Sequence, residues 1–165
     1  MHREALAFTT RAAFSYLDVS LKARGSPREM DSLLAAGDAF FRSGLLERTV
    51  ESQQRFLERF GYNSLPGTDA ALAVVRAENL LGRAYWFLGM TEDALDSFRR
   101  NIARRTPDRY KSMYYIGRSL MDEGVARDQP DLLGSNARPL PVFDRNGDPV
   151  IETALESFNF LRQSP

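Results

Sequence analysis

A chain of 165 residues, 43% apolar and 27% charged, has the composition of one soluble globular domain with a core to bury. Lys plus Arg and Asp plus Glu both number 22, so net charge argues for neither a nucleic acid nor a membrane surface as partner. Cysteine is absent and the single histidine is His2, which excludes disulfides and Cys- or His-rich metal sites and argues against a Ser-His catalytic set.

No apolar run approaches the roughly 20 residues that span a bilayer. The opening MHREALAFTTRAAF carries Arg3, Glu4 and Arg11 and lacks the apolar stretch of a secretory signal. A signal removed earlier would leave the same chain, so the compartment stays open between cytoplasm and periplasm.

The first predicted helix covers 4–23, with Leu6, Ala13, Phe14, Leu17 and Leu21 near helical spacing. Arg24-Gly25-Ser26-Pro27 stops it, and Ser26-Pro27 starts the next helix, 28–43. That helix contains Ala36-Gly37-x2-Phe40 and ends before Gly44. A partner helix follows over 46–60, with Thr49 and Gln53 at the places that Ala94 and Phe98 hold in the later pair and its burial expected on Val50, Phe56, Leu57 and Phe60. Residues 61–67 form a Gly- and Pro-containing loop. Thr68 or Asp69 caps a long helix reaching Leu88, which contains Leu81-Gly82-x2-Tyr85. After Gly89, Thr91 is the expected cap of a helix to about Arg105, carrying Ala94-x3-Phe98. Residues 109–123 form the next helix, with Ile116-Gly117-x2-Leu120 followed by Gly124.

An insertion over 125–148 comes next, rich in Pro and Gly. Its expected form is an ordered loop pinned by Leu132, Leu133, Leu140, Val142 and Phe143. The alternative is a small hairpin built on Pro141-Val142-Phe143 and Asn146-Gly147. Asp148-Pro149 then opens a last helix over 149–163, with Ala154-x3-Phe158 and Leu161 on one face.

The stretch LLGRAYWFLGMTEDALDSFRRNIARRTP, 81–107, resembles the tetratricopeptide repeat, whose signature is L-G-x2-Y, A-x3-F and a closing proline. It departs from that pattern at Glu78, where the family prefers tryptophan, at Asn101, where it prefers alanine, and at Pro107, which falls one residue late. Gly37, Gly82 and Gly117 repeat at intervals of 45 and 35 residues. The resemblance covers 28–124 and 150–163, and its flavour is that of bacterial, envelope-associated members. It implies an all-α, right-handed solenoid of antiparallel helix pairs, seven helices in one domain, with repeats at 28–60, 68–105 and 109–163. Residues 4–23 are then either a half-repeat or a capping helix.

In this family the first helix of each pair lines a concave groove that binds an extended peptide or a partner helix. The corresponding positions are Asp31, Leu34, Asp38 and Phe41, then Arg76, Asn79, Arg83 and Trp86, then Lys111, Tyr114, Arg118 and Met121. Each set runs i, i+3, i+7, i+10, which is one helix face. Arginine forks onto carboxylates and stacks on rings, so an acidic partner suits this set. The competing reading makes Trp86 and Tyr114 partly core and the charges a solvated face. Asn79 matches a carboxylate clamp only loosely, and no chaperone-type clamp is assigned.

Arg99, Arg100, Arg104, Arg105 and Arg109 form a second basic run, read as a solvated face rather than a nucleic-acid surface because no aromatics interleave it. Asp144-x-Asn146-x-Asp148 has the alternation of a calcium loop, but Pro149 and Leu155 stand where glycine and glutamate are needed. No paired acids, nucleophile or phosphate loop is present, so the chain reads as a non-enzymatic scaffold that recruits another protein without a cofactor. The alternative is a self-assembling module, pairing through Phe158, Phe160 and Leu161 near the C-terminus.

Overall fold

The computed structural model describes residues 2–61, 68–104, 109–126, 142–143, 149–150, 158 and 161–162. Among them it has six helices: α1 His2–Lys22, α2 Pro27–Arg42, α3 Leu46–Phe60, α4 Asp69–Phe87, α5 Thr91–Ala103 and α6 Arg109–Ala126. The chain divides into two compact units, 1–88 and 89–165. None of the described helices is long and apolar enough to cross a membrane.

In the first unit, local chemistry places the helix ends. Pro27 sits in the first turn of α2, where its missing N–H costs nothing. The hydroxyl of Ser26 does not cap that turn; it donates back to the Ala23 carbonyl at 2.7 Å. Glu29 does the tying instead. Its carboxylate accepts from the Gly25 N–H at 2.6 Å and meets Arg59 Nε at 2.5 Å, so one buried acid joins the α1–α2 turn to the end of α3. At the other end of α2, Gly44 has φ +76°, and the Gly44 and Leu45 N–H groups donate to the carbonyls of Phe41 and Phe40. This is the glycine-terminated helix end that reverses the chain in three residues. Thr68 caps α4 by accepting from the Ala71 N–H at 3.2 Å.

Packing fixes how these helices run. Ala13 and Leu17 of α1 lie on Ala36, Ala39 and Phe40 of α2, with the Phe14 and Phe40 rings edge to face at 5.2 Å. Leu33 of α2, Phe56 of α3 and Ala73, Val74 and Ala77 of α4 form the other cluster. The order of contacts, Glu29 to Arg59 and Gly37 to Gln53, makes α2 and α3 antiparallel. Leu33 near Ala73 and Phe41 near Phe87 make α2 and α4 parallel. Gln54 donates to the Tyr85 hydroxyl at 2.7 Å, linking α3 to α4.

The inward face of α3 differs from expectation. Thr49, Ser52, Gln53 and Phe56 are buried, while Val50, Leu57 and Phe60 are only half-buried. The side chain of Gln53 lies in the slot left by Gly37, where a Cβ would stand 1.6 Å from its Nε2. Phe56 is the fully buried apolar residue of this face, and polar side chains fitted against α2 at Gly37 fill the rest. Thr49 and Ser52 hydroxyls donate to the carbonyls of Leu45 and Leu33, but neither amide atom of Gln53 has a hydrogen-bond partner.

In the second unit, Ala94, Leu95, Phe98 and Ile102 of α5 and Met113, Ile116 and Leu120 of α6 are buried. The Phe98 ring stacks on Tyr115 at 5.4 Å. Thr91 is the first helical residue of α5, with Met90 in the capping position, one residue earlier than expected. Helix α6 continues through Gly124 to Ala126. Val142–Phe143 and Pro149–Val150 pair as antiparallel strands β1 and β2, Val142 opposite Val150 and Phe143 opposite Pro149. The hairpin alternative thus holds at its base, and the expected helix does not begin at Pro149: extended proline suits an edge strand as well as a first helical turn. Six helices are thus described where seven were expected; Phe158, Leu161 and Arg162 are helical, and the other residues expected in a seventh helix after Val150, Phe160 among them, lie outside the described residues, as does the calcium-like 144–148.

Two substitutions test the α2–α3 slot in urea unfolding. Gly37→Ala is expected to destabilise by about 1 kcal/mol, overpacking outweighing the gain in helix propensity. In a Gln53→Ala background the same change is expected to become stabilising, by up to about 1 kcal/mol. Separately, Gln53→Met, of similar shape and without unpaired amide atoms, is expected to raise stability by about 1–2 kcal/mol.

Candidate binding face

The parallel pairing of α2 and α4 brings four of their side chains together. The Arg83 guanidinium lies over the Phe41 ring at 4.5 Å from its centroid. Phe87 packs on Phe41 at 5.8 Å and stacks on Trp86 at 5.0 Å with the rings 25° apart. Phe41 and Trp86 are half-buried, and Phe87 is 58% exposed. Three rings and one guanidinium thus form a continuous aromatic and cationic patch. An arginine over a ring face is held by the ring quadrupole, worth about 0.5–1 kcal/mol at such a site.

The other expected groove residues of the first unit surround this patch with unequal roles. Asp38 is engaged along its own helix, meeting Arg42 Nε at 2.9 Å. Arg76 and Asp31 are exposed, and Asn79 is half-buried. Leu34 belongs to the core margin, packed against the Leu33 and Phe56 cluster. Phe87 was not among the expected positions. It lies one residue beyond Trp86, about 100° round the helix from the i, i+3, i+7, i+10 face. The signal in the sequence was the Trp86-Phe87 pair at a helix end closed by Gly89, which has φ +75°.

In the second unit, α6 carries the remaining four, of which Met121 is half-buried. Lys111 is exposed, and Arg118 faces Asp122 one turn away at 3.8 Å. Tyr114 is 46% exposed, and its ring packs edge-on against Tyr115 at 5.6 Å and Phe158 at 6.2 Å. Phe158, expected as a self-association residue, is half-buried on Tyr114, and Leu161 is half-buried as well. The second basic run is locally engaged: Arg99 faces Asp96 at 3.6 Å, Arg100 donates to Ser97 Oγ at 3.1 Å, and Arg109 lies over the Tyr110 ring.

A patch that serves the fold and one that serves binding differ in stability cost. Phe87→Ala is expected to lower stability by less than about 1 kcal/mol, because the ring is largely exposed. Phe56→Ala, at a fully buried ring, is expected to cost about 3–5 kcal/mol in the same urea titration.

No family model, no curated protein and no solved structure matches the chain.

Proposed function

We propose that the chain is a tetratricopeptide-type scaffold, a right-handed stack of helix pairs that recruits another protein by binding an acidic peptide or helix on the face shared by α2 and α4. The observation that carries this reading is the Arg83 guanidinium over Phe41, beside Trp86 and the exposed Phe87. Tryptophan and arginine are the residue types that most often dominate interface energy, and exposed aromatic clusters mark interaction surfaces. Stacking uses the face of a guanidinium, whereas a carboxylate is bound by its edge. The antiparallel α2–α3 pair with α4 parallel to α2 supports the helix-pair repeat. The resemblance gives Lys111, Tyr114 and Arg118 the same role on α6.

The test is a selection from displayed random peptides on the immobilised chain. The reading expects enriched peptides with acidic residues beside apolar or aromatic ones. Their affinity is expected to fall with added salt and to drop about tenfold or more in Arg83→Ala and in Trp86→Ala. Trp86 is the sole tryptophan, so its emission reports binding directly. Peptides that bind both variants as tightly as the parent would sink the reading.

A further inference from the structure

Helix α1 carries a second apolar stripe, largely exposed among the described residues. Its inward side is set by Ala13, Leu17 and Ser20, which lie against α2 or are buried. Ala5, Phe8, Ala12, Tyr16 and Val19 recur at intervals of three and four residues, so they form one continuous face. That face lies about a quarter turn round the helix from Ala13, beside the side that packs on α2. Phe8 is 70% exposed, Tyr16 44% and Val19 43%. A stripe of this spacing has the repeat that a two-helix seam requires.

The charges beside the stripe indicate what covers it. One flank carries Glu4, Arg11 and Asp18, seven residues apart and alternating in sign, with Lys22 held by Asp18 at 2.6 Å. The opposite flank carries Thr9 and no charge at matching positions. When two identical helices pack antiparallel, each flank meets its own copy; when they pack parallel, opposite flanks meet. Only the antiparallel arrangement brings these charges together. With Phe8 set opposite Val19 and Ala12 opposite Ser15, Arg11 falls opposite Asp18 of the second copy, twice by symmetry, and Glu4 falls toward Lys22. In the same register the Phe8 ring arrives beside an open hollow lined by Val19, Lys22, Ala23, Ser26, Pro27 and Arg28. Small residues at the centre let the two backbones approach.

We propose that α1 is a self-association surface, pairing antiparallel with α1 of a second copy of this chain about a two-fold axis near Ala12 and Ser15. This surface differs from the C-terminal residues Phe158, Phe160 and Leu161. The helix has 21 residues and is about 31 Å long, so one helix pair gives an interface at the small end of the stable range. The dimer is therefore concentration-dependent.

Sedimentation velocity over low to several hundred micromolar tests it. The mass is expected to rise from 18.7 kDa toward twice that value, about 37 kDa. Phe8→Glu is expected to raise the dissociation constant at least about tenfold with helical circular dichroism unchanged, since the ring is exposed. Arg11→Glu and Asp18→Arg are each expected to weaken the dimer. Mixed in equal amounts they are expected to associate more tightly than either alone, because each then offers the other opposite charges. A mass that stays at 18.7 kDa, a dimer indifferent to Phe8→Glu, or a mixture no tighter than its components would overturn the proposal.

Discussion

The first unit depends on the close approach of α2 and α3 at Gly37. Without a Cβ there, the fully buried Gln53 side chain fits against the α2 backbone. Everything on the far side of α3 follows from that spacing. Phe56 reaches past α2 to Ala73, Val74 and Ala77, and Gln54 reaches the Tyr85 hydroxyl. Those two contacts set α4 beside α2 and parallel to it. The Arg83–Phe41 contact is then a consequence of helix spacing rather than an isolated pairing.

The core is more polar than its helices suggest. Glu29, Thr49, Ser52, Gln53 and Glu78 are buried in the first unit, and Ser97, Asn101, Ser112 and Ser119 in the second. Most of the hydroxyls with assigned bonds donate to carbonyls of their own helix or a neighbour, which keeps the burial of each inexpensive. Gln53 and Ser119 differ, since among the described residues the Gln53 amide and the Ser119 hydroxyl gain packing but no hydrogen bond. Glu29 shows the other outcome: a buried carboxylate satisfied by a backbone N–H and by Arg59, holding three helix ends in one place.

Much of the helical order was legible because glycine, proline and capping residues punctuate it. Gly44 and Gly89 close α2 and α4 with positive φ, and Thr68 caps α4 as its chemistry suggests. The inward face of α3 was legible only in part: the spacing put Thr49 and Gln53 at inward positions and Phe56 was expected buried, but burial was also assigned to apolar neighbours that are only half-buried. Hydropathy favours Val50, Leu57 and Phe60, whereas the slot at Gly37 selects Gln53, a fit that only two helices together define. Proline at 149 was read as a helix start and lies in a strand instead; its fixed φ suits both, and pairing with Val142–Phe143 decides it. Of the candidate binding face, Phe41, Arg83 and Trp86 were visible at helical spacing. Phe87 was not, because its contact with Phe41 crosses between helices and leaves no periodic trace.

The most direct test is whether the Arg83 guanidinium sits over the Phe41 ring in solution. In the NMR spectrum of the intact chain, the Arg83 side-chain protons are expected upfield of their ordinary positions through the ring current of Phe41. They are expected to return toward those positions in Phe41→Leu while the rest of the spectrum stays folded. Arg83 resonances at ordinary positions in the folded parent chain, unmoved by Phe41→Leu, would contradict the pairing of α2 with α4 and the binding face built on it.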